Sequence, residues 1–209
     1  MGPSGVKRHG RRAVVLIALW LATAAAAEES KPRPVQAGAL MSLLRAPHPQ
    51  IQGPALARIG PDVPALLVEY ATSIKEPHQV RLRALAWLQW FPSSQSRAVL
   101  LEMLRARDAD VPTIRVCLRA LAFAFGAEQL PILRAHLDHA DVYVREAAAY
   151  ALGDVDDRRV RDILNDHLDR EREIAVRDAI VASLQRLDRG DAARPGAKGP
   201  AADRSGKAH

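Results

Sequence analysis

The sequence predicts an all-α chain of stacked helix pairs, and three observations carry that prediction. An aliphatic residue followed by Arg recurs at Val80-Arg81, Ile114-Arg115, Val144-Arg145 and Val176-Arg177, with a degenerate copy starting at Ile51. The starts at 51, 80, 114, 144 and 176 are separated by 29, 34, 30 and 32 residues, the spacing of two-helix repeats. No period-2 run of β-branched or aromatic residues occurs along the 209 residues, so no strand is expected. A chain of this kind buries its core between repeats and offers a surface rather than a catalytic pocket.

The first segment, residues 1–27, is read apart from the fold. Lys7, Arg8, Arg11 and Arg12 precede an apolar run from Ala13 to Ala27 that ends in small residues with A-x-A geometry, the pattern of a secretory signal peptide. That run would span only roughly 22 Å as a helix, short of the ~30 Å hydrocarbon core. Cleavage is therefore expected to leave no stable membrane span, and the mature chain is expected to be periplasmic or secreted. A retained N-terminal anchor is the alternative. The formal charge of +6 includes the four leader cations, which leaves +2. Residues 188–209 carry five basic and three acidic groups, so residues 28–187 are neutral. The pI near 10 thus reflects the two ends, and nucleic acid is not an expected partner.

Residues 28–36, with Pro32 and Pro34, read as an extended linker before a repeat domain over 37–187. Leu40, Leu43 and Leu44 read as the second helix of a truncated first pair. Helices carrying the Val-Arg beat are expected at about 51–60, 79–91, 112–125, 142–153 and 174–187. Between them, Ala98, Leu101 and Leu104, then Leu130, Leu133 and Leu137, then Val160, Ile163, Leu164 and Leu168 repeat at i, i+3, i+4 spacing. Gly60-Pro61, Pro92-Ser93-Ser94, Gly126 and Gly153-Asp154 punctuate the helices. After Leu187 the chain is Gly, Ala, Pro, Lys, Arg and Asp without aliphatic periodicity, which predicts a disordered tail over 188–209.

An acid stands four or five residues ahead of each repeated Arg: Glu76 before Arg81, Asp110 before Arg115, Asp141 before Arg145 and Glu173 before Arg177. A carboxylate there suits a helix N-terminus. It also predicts a charge-assisted ladder in which the Arg of one layer reaches the acid or turn carbonyls of its neighbour. The arginines then belong to the architecture, and contact residues are sought on the second helices: Arg97, Glu102, Arg105, Arg134, Asp138, Arg161, Asp162 and Asn165.

The segment Asp141-Val142-Tyr143-Val144-Arg145-Glu146-Ala147-Ala148-Ala149-Tyr150-Ala151-Leu152-Gly153 resembles the first helix of a HEAT repeat, and Asp156 to Leu168 resembles its second. The likeness is strongest over 141–187 and weaker toward the N-terminus, where Pro54 interrupts the Ile51 copy. It implies a right-handed alpha-alpha superhelix, a HEAT-like solenoid of about five pairs. The second helices would line a concave face that binds another protein.

Motifs for chemistry are sparse. His136, Asp138, His139 and Asp141 concentrate metal-type side chains, but they read as a helix end running into a cap. Lone Cys117 falls on an apolar helix side and reads as a buried hydrophobe rather than a reactive thiol. Trp87, Trp90 and Phe91 read as core, with an exposed ridge as the alternative. No catalytic residue, metal or cofactor is expected. The reading is an exported scaffold or adaptor; a resemblance to HEAT-like bilin lyases, holding a chromophore or peptide in the groove, is the alternative.

Overall fold

The computed structural model describes residues 34–47 and 53–190. The expected leader, residues 28–33 of the linker, the Ile51 start and residues 191–209 of the tail lie outside the described residues. Within them every regular element is helical: α1 (Pro34–Arg45), α2 (Gly53–Ala57), α3 (Val63–Thr72), α4 (His78–Trp87), α5 (Ser94–Arg105), α6 (Val111–Phe125), α7 (Leu130–Ala135), α8 (Val142–Gly153), α9 (Arg159–Leu168) and α10 (Ile174–Asp188). Short 3-10 turns at Leu88–Trp90, Gly126–Gln129 and His136–Asp138 prolong α4, precede α7 and follow it.

Two rows form. Helices α1, α4, α6, α8 and α10 pack each against the next. Helices α3, α5, α7 and α9 lie chiefly on the first-row helix that follows them, α3 on α4, α5 on α6, α7 on α8 and α9 on α10. The Val-Arg beat explains the row. Val80, Ile114, Val144 and Val176 are buried between layers, and the next residue along the helix turns toward the layer edge, where an arginine can stay hydrated. One turn on, Ala84, Leu118, Ala148 and Ile180 are buried as well, consistent with the i, i+4 face of a helix. Second-row Leu100, Leu104, Leu133, Leu137, Val160 and Leu164 fill the space behind.

The first layer departs from the sequence reading. Helix α1 does not act as a second helix; it packs on α4 in the first row, with α3 as its own second helix. The helix expected over 51–60 is reduced to the five residues of α2, followed by a turn. Gly53-Pro54 and Gly60-Pro61 bracket this stretch, leaving too little uninterrupted chain for a full helix. The linker boundary shifts too, because Pro34 opens α1, a position where the missing N–H costs nothing. Its last three residues, 34–36, are therefore helical. At the other end α10 runs to Asp188.

Local chemistry fixes the ends. Ser93 and Ser96 form a reciprocal capping box at α5, with Ser96 N–H donating to Ser93 Oγ at 3.0 Å and Ser93 N–H to Ser96 Oγ at 2.9 Å. Asp110 and Asp141 accept from the Thr113 and Tyr143 N–H groups, each at 2.8 Å. Gly126 ends α6 at φ 54, a conformation that glycine adopts without a Cβ penalty. Val111–Asp138 is long and apolar enough to cross a membrane by composition, but Gly126 divides it into two helices whose buried side chains belong to the core. Trp87 and Leu88 are buried. Trp90 meets Phe123 edge-on at 4.8 Å between ring centroids, and Phe91 packs partly buried against the core.

Helices α8 and α10 pack closely against each other. A Cβ on Gly153 would stand 2.5 Å from Ser183 Cβ, and Ser183 Oγ donates a buried hydrogen bond to the Ala149 carbonyl at 3.0 Å. Gly153→Ala is expected to overpack this contact and cost about 1–3 kcal/mol, read as a lower Tm. Gly38→Ala is the control: a Cβ there meets nothing within 4 Å, so no loss is expected. Equal melting of both variants would contradict the close packing.

The inter-layer ladder and the candidate binding face

Arginines do bridge the layers, and of the acids that the spacing suggested Glu76 is met by an arginine of the neighbouring layer, while the other rungs use Glu146 and Glu171. Arg145 on α8 donates from Nε to Glu171 Oε2 at 2.8 Å and from Nη2 to Oε1 at 3.2 Å, and its Nη1 reaches the His139 and Ala140 carbonyls at 3.0 and 3.1 Å. Arg177 donates to the Leu168 and Glu171 carbonyls at 2.6 and 2.9 Å. Arg115 lies 3.7 Å from Glu146, and Arg45 3.6 Å from Glu76. Arg83 donates to Leu44 and Ala46 carbonyls, both at 2.6 Å.

Of the predicted acids, Asp110 and Asp141 cap their helices, and Asp110 also meets His78 at 3.2 Å. Glu173 stands at the N-cap of α10 without a side-chain capping bond, and Glu76 precedes the Pro77 N-cap. Neither acid caps its helix. None of the four predicted acids forms an ion pair with the Arg that follows it. The reason is reach: the acid and its Arg belong to the same helix entry, while the guanidinium extends toward the neighbouring layer. The rung acid therefore comes from about one repeat further along, as in Arg115–Glu146 and Arg145–Glu171.

Glu171 is the hub. Its side chain is 6% exposed and Arg145's 16%. Arg172 and Glu173 donate backbone N–H groups to its Oε1 at 2.9 and 3.0 Å. Buried His167 places Nε2 3.2 Å from Oε2, and its Nδ1 faces Asp138 at 3.8 Å. Burial alone would raise the Glu171 carboxyl. Arg145, the two N–H groups and His167 outweigh it and hold the carboxyl at about 2. The same bond to Glu171 is the chief cause that raises the Arg145 guanidinium.

A second set of bridges lies elsewhere on the stack, at positions that the Val-Arg spacing does not mark. Arg186 on α10 donates to Asp154 at 2.7 Å, to the Tyr150 carbonyl at 3.3 Å and to Ser183 Oγ at 3.2 Å. Burial raises the Asp154 carboxyl, with Arg186 and Arg119 opposing it. Only the recurrence of acid-then-Arg about one repeat apart could have revealed this bridge.

The eight residues proposed for partner contact divide into two groups. Arg97 pairs with Glu128 and stacks over the Phe125 ring at 4.7 Å. Arg161 pairs with Asp188, and Asp138 pairs with Arg170 at 3.1 Å. These three are committed within the chain. Glu102, Arg105, Arg134, Asp162 and Asn165 are exposed on α5, α7 and α9, and none has a side-chain hydrogen bond or ion pair among the described residues.

The His cluster is held by backbone. His136 Nδ1 lies 2.8 Å from the Ile132 carbonyl, and His139 Nδ1 accepts from Asp141 N–H at 3.0 Å. Among the described residues no three His, Cys, Asp or Glu side chains converge for a metal ion. Cys117 is fully buried, which pushes its thiol up to about 12.

A depressed carboxyl contributes stability above its ordinary value, 4.5 here, and loses it as pH falls toward about 2. Glu171→Gln is therefore expected to cost about 2–4 kcal/mol at pH 7, with the gap to wild type narrowing below pH ~4.5. Denaturant melts across pH 2–7 read this directly. A gap that stayed constant to pH 2 would show that the charge on Glu171 carries no part of the rung.

Residues 105–185, from the end of α5 through most of α10, match a family model for HEAT repeats. No curated protein matches the chain. The matched span contains the Arg145–Glu171 rung and the tight α8–α10 contact, set in a two-row stack of helix pairs. Over residues 105–185 the chain is similar to HEAT repeats, and the helix pairs on either side continue the same two-row stack.

Proposed function

We propose that the chain is an exported, non-catalytic scaffold that binds another protein through the exposed polar face of its second-row helices. HEAT repeats commonly mediate protein interactions, and one observation here supports this face. Glu102, Arg105, Arg134, Asp162 and Asn165 stand exposed on successive helices α5, α7 and α9 without an intramolecular partner. Charges of both signs held on rigid, stacked helices suit electrostatic registration of a partner, which sets specificity and on-rate. The basic n-region, apolar run and alanine exit of residues 1–27 support export.

Arg105 and Arg134 are the residues to reverse, since neither supports the fold through a bond of its own. Arg105→Glu with Arg134→Glu is expected to reduce capture of a partner from the envelope fraction by about ten-fold or more, with unchanged Tm. Undiminished capture would rule out this face. Intact mass of the protein recovered from its native host is expected to match a chain starting at Glu28; a mass retaining residues 1–27 would favour an anchored form.

A further inference from the structure

A cleft of about 150 Å³ opens where α3, α4, α5 and the α5–α6 turn meet. Leu82, Leu85, Met103 and Ala106 supply apolar wall, and Arg81, His78, Asp108 and Asp110 supply polar groups. A cleft of this size has room for a group about as large as benzene, and its lining is of mixed polar and apolar character.

Arg81 is the exception among the beat arginines. Arg115, Arg145 and Arg177 each reach a carboxylate or turn carbonyls. The Arg81 guanidinium has no hydrogen bond or ion pair among the described residues, and its Nε is buried without an acceptor. Asp110 attracts it only through longer-range charge. That carboxylate is already engaged by Thr113 N–H at 2.8 Å and by His78 at 3.2 Å. Across the cleft Asp108 is exposed and equally without a partner.

One donor and one acceptor left open beside an apolar wall select the occupant. A simple anion would meet Arg81 but be repelled by Asp108 and Asp110, and a simple cation would be repelled by Arg81. A peptide unit is neutral and offers both functions: its carbonyl accepts from a guanidinium, as the turn carbonyls do from Arg83, Arg145 and Arg177, and its N–H donates to a carboxylate. We propose that this cleft takes one aliphatic residue of a partner polypeptide, its carbonyl on Arg81, its N–H on Asp108 and its side chain against Leu82, Met103 and Ala106. This rests on the scaffold reading and extends its surface, since Ala106 directly follows Arg105 of the binding face.

The test uses the full chain labelled at the methionine methyls and N-acetyl-L-leucinamide as probe. The Met103 methyl resonance is expected to shift and saturate in the millimolar range, as suits a fragment of this size, with Met41 unmoved. Ala106→Trp, which fills the cleft, is expected to abolish the shift. Arg81→Met is expected to weaken binding about ten-fold without lowering Tm, because the arginine has no acceptor to lose. A silent Met103, equal binding of N-acetyl-L-lysinamide, tighter binding of free L-leucine, or a lower Tm for Arg81→Met would each overturn the proposal. A silent Met103 together with capture that still depends on Arg105 and Arg134 would remove the cleft alone. Loss of that dependence as well would remove the scaffold reading.

Discussion

Each layer of this stack must bury an apolar side chain against its neighbour while the next residue in the chain is fully charged. The Val144-Arg145 step meets both demands at once. Val144 is completely buried, and Arg145 turns to the layer edge and clasps Glu171, which is almost as buried as the core. A buried ion pair is not by itself a source of stability, because desolvation offsets most of the attraction. What makes this one favourable is the set of hydrogen bonds around it: two carbonyls on the arginine, two N–H groups and an imidazole on the glutamate. With both partners satisfied, the rung fixes how far α8 can slide against the α9–α10 turn.

The small residues depend on that register. Ala148, Ala149, Ala151 and Gly153 let α6, α8 and α10 approach closely, and a slide of one residue would put Tyr150 or Glu146 where alanines now sit. The Ser183 hydrogen bond to Ala149 and the Arg186–Asp154 pair act on the same two helices from other positions. Layer four is thus pinned at several points. The first layer is built differently: α1 is held to α4 by Arg83 and the Arg45–Glu76 pair, with the short α2 in place of a full helix.

Much of this was legible in the sequence, for a physical reason. Periodicity reports which face of a helix is buried, so the Val-Arg starts and the Leu-rich second helices located the rows from α4 onward. The first layer was misread because its α1 lacks the Val-Arg step, and Ile51 offered a decoy among Gly and Pro. The rungs run between layers as the spacing implied, but apart from Glu76 their acids are not the ones it marked. Asp141 and Arg145 are neighbours in sequence, but a long arginine side chain leaves its own helix, so its partner Glu171 is invisible to local spacing. Sequence likewise marks polar residues on the second helices without separating Arg161, paired to Asp188, from Arg134, which is unpaired. That distinction needs the packing of α10 beside α9.

Arg145 and Glu171 act together as a coupling between layers rather than as two separate polar residues. A double-mutant cycle with Arg145→Met, Glu171→Gln and the combined variant measures it directly from denaturant unfolding at neutral pH. A coupling energy of about 1–3 kcal/mol is expected, the double variant being less destabilised than the sum of the singles because it leaves neither partner stranded. Additive losses, with a coupling near zero, would contradict it.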